Sequence, residues 1–227
     1  MDISEAFNNY FCNIAQKLKN DTSYDNKLTI NTSHRHSSNM AVQECSELQT
    51  LEYIKSLKNK ATSDTAIQPL KHVAKEIAPI LQHLITSSFY EGVFSDLLKS
   101  AKVIPLHKSG CKTDVSIYRP ISLLSCFSKI FEKAMHKRLS CFLETNNLVY
   151  KSQFGFRSGH SCEYALLEAQ NVIVNALDRK QMAALLLIDF SKAFDMVDHG
   201  IFLSKLEHYV VRGINLDWFE SYLCDRQ

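Results

Sequence analysis

No apolar run in these 227 residues exceeds seven positions, the stretch MAALLLI at 182–188. A membrane-crossing helix needs roughly 20, so none is expected. The amino terminus, MDISEAFNNYF, lacks the basic flank and apolar core of a secretory leader. The seven cysteines (12, 45, 111, 126, 141, 162, 224) are odd in number, irregularly spaced and never paired as C-x-x-C. A zinc site and a disulfide framework are therefore not expected, and the pattern reads as that of a reduced, intracellular protein. Internal repeats and low-complexity tracts are absent too. With 45% hydrophobic and 22% charged residues, wholesale disorder is excluded. The length suits one large domain or two small ones with a real core.

Charge is present but unevenly placed. Residues 101–160 hold ten Lys and Arg against three Asp and Glu, a net +7, so the remainder carries −5 within a total of +2. A basic middle in a near-neutral chain suggests a local polyanion site, with a solvated basic face as the alternative.

Hydrophobic spacing divides the chain. Ile3, Phe7, Phe11, Ile14 and Leu18 recur at helical intervals over 1–19, with Ser4 as the expected N-cap. Residues 20–41 are rich in Asn, Ser, Thr and His and read as a linker in which His34 and His36 are solvated. Two helices are predicted over 46–59 (Leu48, Leu51, Ile54, Leu57) and 69–91 (Leu70, Val73, Ile77, Ile80, Leu81, Leu84), with a polar joint at 61–68 and Gly92 as C-cap. AKVIPLHK and IYRPISLL flank a turn at Gly110 and predict a two-stranded ribbon across 102–124 with a polar, basic tip. A helix over 127–143 places Phe127, Ile130, Phe131, Ala134, Met135, Leu139 and Phe142 on one face, with Lys129, Lys133 and Lys137 spaced i, i+4 on another. Like charges at that spacing are mildly unfavourable, and a nearby polyanion or plain solvation relieves them. After the loop SQFGFRSGHS, a helix is predicted over 161–179 with Leu166, Ala169, Ile173, Ala176 and Leu177 inward. The apolar run into Asp189 then reads as a strand buried on both faces, followed by the turn FSKAF.

A carboxylate at a strand end beside a free carbonyl is a ready ligand for a hard cation such as Mg2+. Asp195 and Asp198 follow closely and read as caps of the next helix or partners of His199. Lys108 and Arg119 on the ribbon suit phosphate, Arg as a bidentate donor and Lys as a point charge. An acid with metal opposite a basic clamp is the layout of phosphoryl or nucleotidyl transfer.

The motifs AKVIPLHKSG, YRPISLLSCFSKIFEKAMHKRL, SQFGFRSGHS, LLLIDFSKAFDMVDH and VRGINLDWFESYLCDRQ, in this order, resemble the reverse transcriptase domain of non-LTR (LINE-type, jockey/CR1-like) retrotransposons. The resemblance implies an α+β, right-hand polymerase fold: an N-terminal helix and polar linker (1–45), a helical segment preceding the fingers (46–100), and fingers with the first palm strand (101–227). It also implies RNA-directed DNA synthesis on an RNA template and DNA primer from deoxynucleoside triphosphates, with Mg2+ as cofactor.

By the same resemblance, Asp189 is the first catalytic aspartate and binds metal together with the Phe190 carbonyl. Ser191, Lys192 and Ala193 line the triphosphate through their backbone. Phe194 is the bulky residue that screens a ribose 2′-OH. Lys108 and Arg119 hold the triphosphate, and Arg157 lies near the template or nucleotide. Lys129, Lys133 and Lys137 are candidate nucleic-acid contacts. The family's Tyr/Phe-Ala-Asp-Asp hairpin, the glycine-rich segment before it and the thumb have no counterpart in the 227 residues. The expectation is therefore an incomplete, inactive fragment of the polymerase, or a non-catalytic RNA- or DNA-binding module derived from the fingers.

The charge distribution predicts that the protein binds RNA or a primer–template non-specifically, with affinity falling as salt rises. Filter binding across a salt series checks it. Binding without a salt slope contradicts a contact through the basic segment.

Overall fold

The computed structural model describes residues 2–20, 39–58, 67–190 and 192–226. Two compact units are formed, one from residues up to Leu139 together with those from Phe194 onward, the other from Ser140–Ala193. Helix and strand are mixed, as expected for an α+β protein. His34, His36, Ser191 and the joint over 61–66 lie outside the described residues, as do the side chains of Ile14 and Leu18.

Helix α1 spans Ile3–Asn20. Its cap is Asp2 and not the expected Ser4: the Asp2 carbonyl accepts from Ala6 N (3.0 Å) and its carboxylate from Ser4 N (3.4 Å). A carboxylate there also faces the positive end of the helix dipole. Phe7 stacks on Phe11 and meets the Tyr118 ring edge-on at 4.9 Å, which lays α1 against the start of the second strand.

Helix α2, Glu47–Lys55, opens with a reciprocal Ser46–Gln49 capping box. The helix expected over 69–91 is divided into α3, Ile67–His72, and α4, Ala74–Glu91. The interruption is at Val73, whose φ and ψ of −99° and 22° leave the α region. Gly92 terminates α4 as predicted, at φ 68°. Ile54, Leu57, Leu70 and Leu81 are buried as expected, but Leu48, Val73, Ile80 and Leu84 are exposed. Ile80 and Leu84 line an open apolar groove of about 560 Å3 with Leu97, Leu98, Phe127 and Phe131, because helix α5 (Cys126–Thr145) turns its own apolar face there.

The first unit is closed by α7, His199–His208, and α8, Ile214–Leu223. Trp218 of α8 is fully buried, edge-on to Phe89 (5.7 Å) and Phe94 (5.4 Å) and stacked on Tyr222. Its indole N–H donates to Ser88 Oγ at 2.9 Å, as a buried indole requires. Buried Asn215 donates to the Met40 carbonyl at 2.7 Å, and Met40 N donates to Val210 O at 3.3 Å. The end of α8 is tied to α5, since Tyr222 Oη (2.9 Å) and Arg226 Nη2 (3.1 Å) both donate to Glu132 Oε1. Burial beside the Glu132 charge pushes the Tyr222 phenol pKa up.

The second unit departs from expectation. Helix α6, Cys162–Asp178, follows Ser161 but buries none of its residues, so Leu166 and Leu177 are exposed instead of inward. The buried strand predicted before Asp189 is not formed, and residues 181–190 are exposed throughout, Leu186 and Leu187 to 82% each. A strand covered on both faces needs neighbours on both edges. Among the described residues the only sheet is the isolated two-stranded ribbon. The apolar sequence is strand-like, but its pairing partners are not supplied.

The single tryptophan reports on this core. Gly92→Ala places a Cβ 2.9 Å from the Ile214 carbonyl at a positive φ and is expected to destabilise by about 1–3 kcal/mol. Trp218→Phe, which loses the indole hydrogen bond, is expected to cost about 1–3 kcal/mol. Urea unfolding checks both, by Trp218 fluorescence for the first and circular dichroism for the second.

Candidate nucleotide and nucleic-acid site

The ribbon forms as predicted. Strand β1, Ala101–His107, pairs antiparallel with β2, Tyr118–Leu124, in a register that sets Leu106 opposite Arg119 and His107 opposite Tyr118. Lys108 N extends the pairing by donating to Ile117 O at 3.2 Å. Side chains alternate between faces at each step. Arg119 therefore shares a face with its cross-strand partner Leu106, while His107 and Tyr118 stand on the other, where Phe7 of α1 packs, and Lys108 directly follows the end of β1. Both basic side chains are exposed.

The tip is ordered by its own polar groups. Asp114 Oδ1 accepts from Ser116 N at 2.8 Å, Tyr118 Oη donates to Lys112 O at 2.9 Å, and Gly110 supplies φ 97°. The Ser116 hydrogen bond holds the Asp114 carboxyl below its ordinary pKa.

The lysines of α5 do not form a uniform stripe. Lys137 is exposed, whereas Lys129 and Lys133 are half-buried. Lys133 Nζ donates to the Ser56 hydroxyl (2.7 Å) and carbonyl (3.3 Å) at the end of α2. Burial first, then the neighbouring charges of Lys58 and Lys71, lowers its pKa. Lys58, three residues after α2, and Lys71 of α3 thus act electrostatically on Lys133. Sequence spacing could not reveal this, because positions 58, 71 and 133 meet only in the fold.

In the second unit, Arg157 is a staple. Its Nε and Nη2 donate to the two Glu144 carboxylate oxygens at 2.9 and 2.8 Å, and Nη1 donates to the carbonyls of Tyr150 (3.2 Å) and Gln153 (3.4 Å). Its side chain is only 14% exposed. The signal for this role was the acid at 144, in the last turn of α5, thirteen residues before the arginine.

Asp189 and Phe190 are exposed in the second unit, at the end of the unpaired stretch, and a turn follows over 192–196 with Lys192 at φ 53°. Asp198 caps α7 through Ile201 N at 3.1 Å, as expected. Phe194 is exposed. The Asp189 carboxylate and Phe190 carbonyl are oxygen donors of the right chemistry for a hard cation. They form a partial set: among the described residues no three His, Cys, Asp or Glu side chains converge as a metal cluster. No helix among them is long and apolar enough to cross a membrane, and no disulfide joins the cysteines.

The Arg157 staple gives the 150–160 loop an acid limit. Its hydrogen bonds depress the Glu144 pKa. A depressed carboxyl stabilises the loop above its unfolded pKa of about 4.3 and loses that contribution as pH falls through the lower folded value. We expect the Phe156 ring resonances to shift in an acid titration with a midpoint below that of an ordinary glutamate, and Glu144→Gln to abolish that step.

Comparison with known proteins places these features in a family. The family profile "Reverse transcriptase (RNA-dependent DNA polymerase)" matches residues 106–227, which include both basic positions of the ribbon, the Arg157 loop and Asp189. The chain is 31% identical over 186 residues to the probable RNA-directed DNA polymerase from transposon BS of Drosophila melanogaster, covering 79% of this chain and 20% of that protein. It is 37% identical over 115 residues to the RNA-directed DNA polymerase from mobile element jockey of the same fly, covering 50% and 13%. The corresponding protein of transposon X-element is 37% identical over 95 residues. The chain thus spans a fifth or less of the length of the relatives it matches. With the profile covering more than half of its residues, the chain belongs to the reverse transcriptase (RNA-dependent DNA polymerase) family.

Proposed function

We propose that this chain is part of an RNA-directed DNA polymerase and contributes the fingers and first palm segment of a right-hand fold, in which it contacts the incoming nucleotide and the nucleic acid. The observation that carries the reading is the ribbon register. It sets Arg119 opposite Leu106, on the face away from His107 and Tyr118, and Lys108 directly follows β1 at the same end of the ribbon, both basic residues being exposed. A point-charge donor beside a bidentate donor is suited to a triphosphate.

In this reading Lys108 and Arg119 hold the triphosphate of the incoming deoxynucleotide. The turn residues Ser191, Lys192 and Ala193 approach it through backbone N–H groups. Phe194 occupies the position that screens a ribose 2′-OH. Asp189 and the Phe190 carbonyl provide oxygen ligands for Mg2+, which when bound neutralises phosphate charge in nucleotidyl transfer. Lys129, Lys133 and Lys137 contact the phosphates of the RNA template or DNA primer, with Lys58 and Lys71 extending that surface. Arg157 acts as a positioning residue for its loop, its donors being committed to Glu144 and two carbonyls. The domain boundaries we assign are an N-terminal helix and linker (1–45), a helical segment before the fingers (46–100), and the partial polymerase domain (101–227).

A non-catalytic nucleic-acid-binding role is favoured for the chain acting alone. Two-metal transfer needs several carboxylates around two cations, and the described residues bring no such set together. We therefore expect the purified 227-residue chain to bind deoxynucleotides and RNA but not to extend oligo(dT) on poly(rA). Photocrosslinking of a radiolabelled deoxynucleotide should fall about tenfold or more in Lys108→Ala and Arg119→Ala, since hydrogen bonds to charged groups contribute about 1.5–3 kcal/mol each. Arg119→Lys should restore little, lacking the fork. Equal labelling of all variants removes the clamp. Primer extension that vanishes in Asp189→Ala would overturn the non-catalytic assignment of the isolated chain.

A further inference from the structure

We infer that the cleft between the 154–160 loop and α6 is a pocket for one unpaired nucleobase. This inference rests on the nucleic-acid reading above and adds to it a ligand that is read by its aromatic face and polar edge instead of its phosphate.

The cleft is open and encloses about 600 Å3, with walls from Phe154, His160, Tyr164, Leu167, Glu168 and Asn171. The Phe154 and His160 rings lie 6.0 Å apart at 56° and form one wall. Tyr164 and Leu167 are exposed to 56% and 52%, although both are large and largely apolar. Glu168 and Asn171 are one helical turn beyond them, at i+4 from each, and so share that face of α6. The lining combines flat aromatic surface, an aliphatic contact, a carboxylate acceptor and an amide that both donates and accepts. A nucleobase offers the matching set: two π faces and an edge of N–H and C=O groups.

A phosphate does not fit here. The unit of residues 140–193 carries five basic and five acidic side chains, Arg157 is neutralised by Glu144, and Glu168 places negative charge in the lining itself. The electrostatic term that dominates backbone binding belongs to the basic residues of the other unit.

The pocket is held open before any ligand arrives. The Arg157 staple fixes the loop, Gln153 Nε2 donates to Gly155 O at 3.2 Å, and His160 Nδ1 is within 3.1 Å of Ser158 O. Between these anchors Phe156 is kept at φ 61° and 91% exposed. That is a costly backbone setting for a bulky residue, and it presents a further aromatic ring on the same loop. Preorganisation of this kind lowers the ordering cost of binding.

The test is a single-stranded oligouridylate with one central 2-aminopurine, titrated with the full chain at low and moderate salt. We expect 2-aminopurine fluorescence to be quenched on binding. Tyr164→Ala should weaken binding about tenfold at both salt concentrations and leave the salt slope unaltered, while Tyr164→Phe retains near-wild-type quenching. Asn171→Ala, on an exposed helix position, should lower the affinity independently. A fully paired duplex of the same sequence should show no quenching. If the chain binds the oligonucleotide but Tyr164→Ala and Asn171→Ala bind and quench as the wild type does, the pocket is overturned and the nucleic-acid reading stands. If Tyr164→Ala changes the salt slope instead, the cleft contacts phosphate and the inference is likewise overturned. Absence of binding at low salt overturns both.

Discussion

The burial of Trp218 against the end of α4 is the contact on which the larger unit depends. Its indole hydrogen bond to Ser88 and its edge contacts with Phe89 and Phe94 join residues 130 positions apart. The approach is close enough that Gly92 must lack a side chain. An aromatic of this size contributes several kcal/mol when buried, and it cannot be buried without bringing α8, α4 and, through Glu132, α5 together. The helices upstream of the family match are thereby built into the same core as its last helix. For this protein residues before position 106 are structural partners of the polymerase-like region.

The two units answer to different physics. The larger one has a buried core and a ribbon on which Phe7 of α1 packs against Tyr118 while Lys108 and Arg119 are left to solvent. The smaller one buries none of α6 and leaves 181–190 uncovered. Its order comes from a local hydrogen-bonded staple, not from a core. An exposed apolar stretch of that length signals an interaction surface or an aggregation hazard, and the Asp189 carboxylate sits at its end.

Much of the local structure was legible. The ribbon followed from β-branched residues around a Gly turn, the α5 face from its 3.6-residue spacing, and the ends of α4 and α7 from Gly92 and Asp198. The departures have separate physical causes. Leu48, Ile80 and Leu84 satisfy helical periodicity yet are exposed, because periodicity identifies an apolar face but not whether a partner arrives to cover it. Asp2 displaced Ser4 as cap because adjacent polar residues compete for the same orphan N–H groups. The Arg157–Glu144 pairing was not legible either, since an ion pair between 144 and 157 needs a loop geometry that no spacing rule supplies.

By itself, the sequence determined the family, the mixed α+β character and the basic middle. These are carried by contiguous motifs and by residue chemistry, which survive without coordinates. Only tertiary structure decided that Lys133 reaches Ser56, that Trp218 closes the core on Ser88, that Arg157 pairs with Glu144, and that the apolar run before Asp189 is uncovered. Each of these depends on which distant segment supplies the partner, and burial or pairing is a property of the two surfaces together.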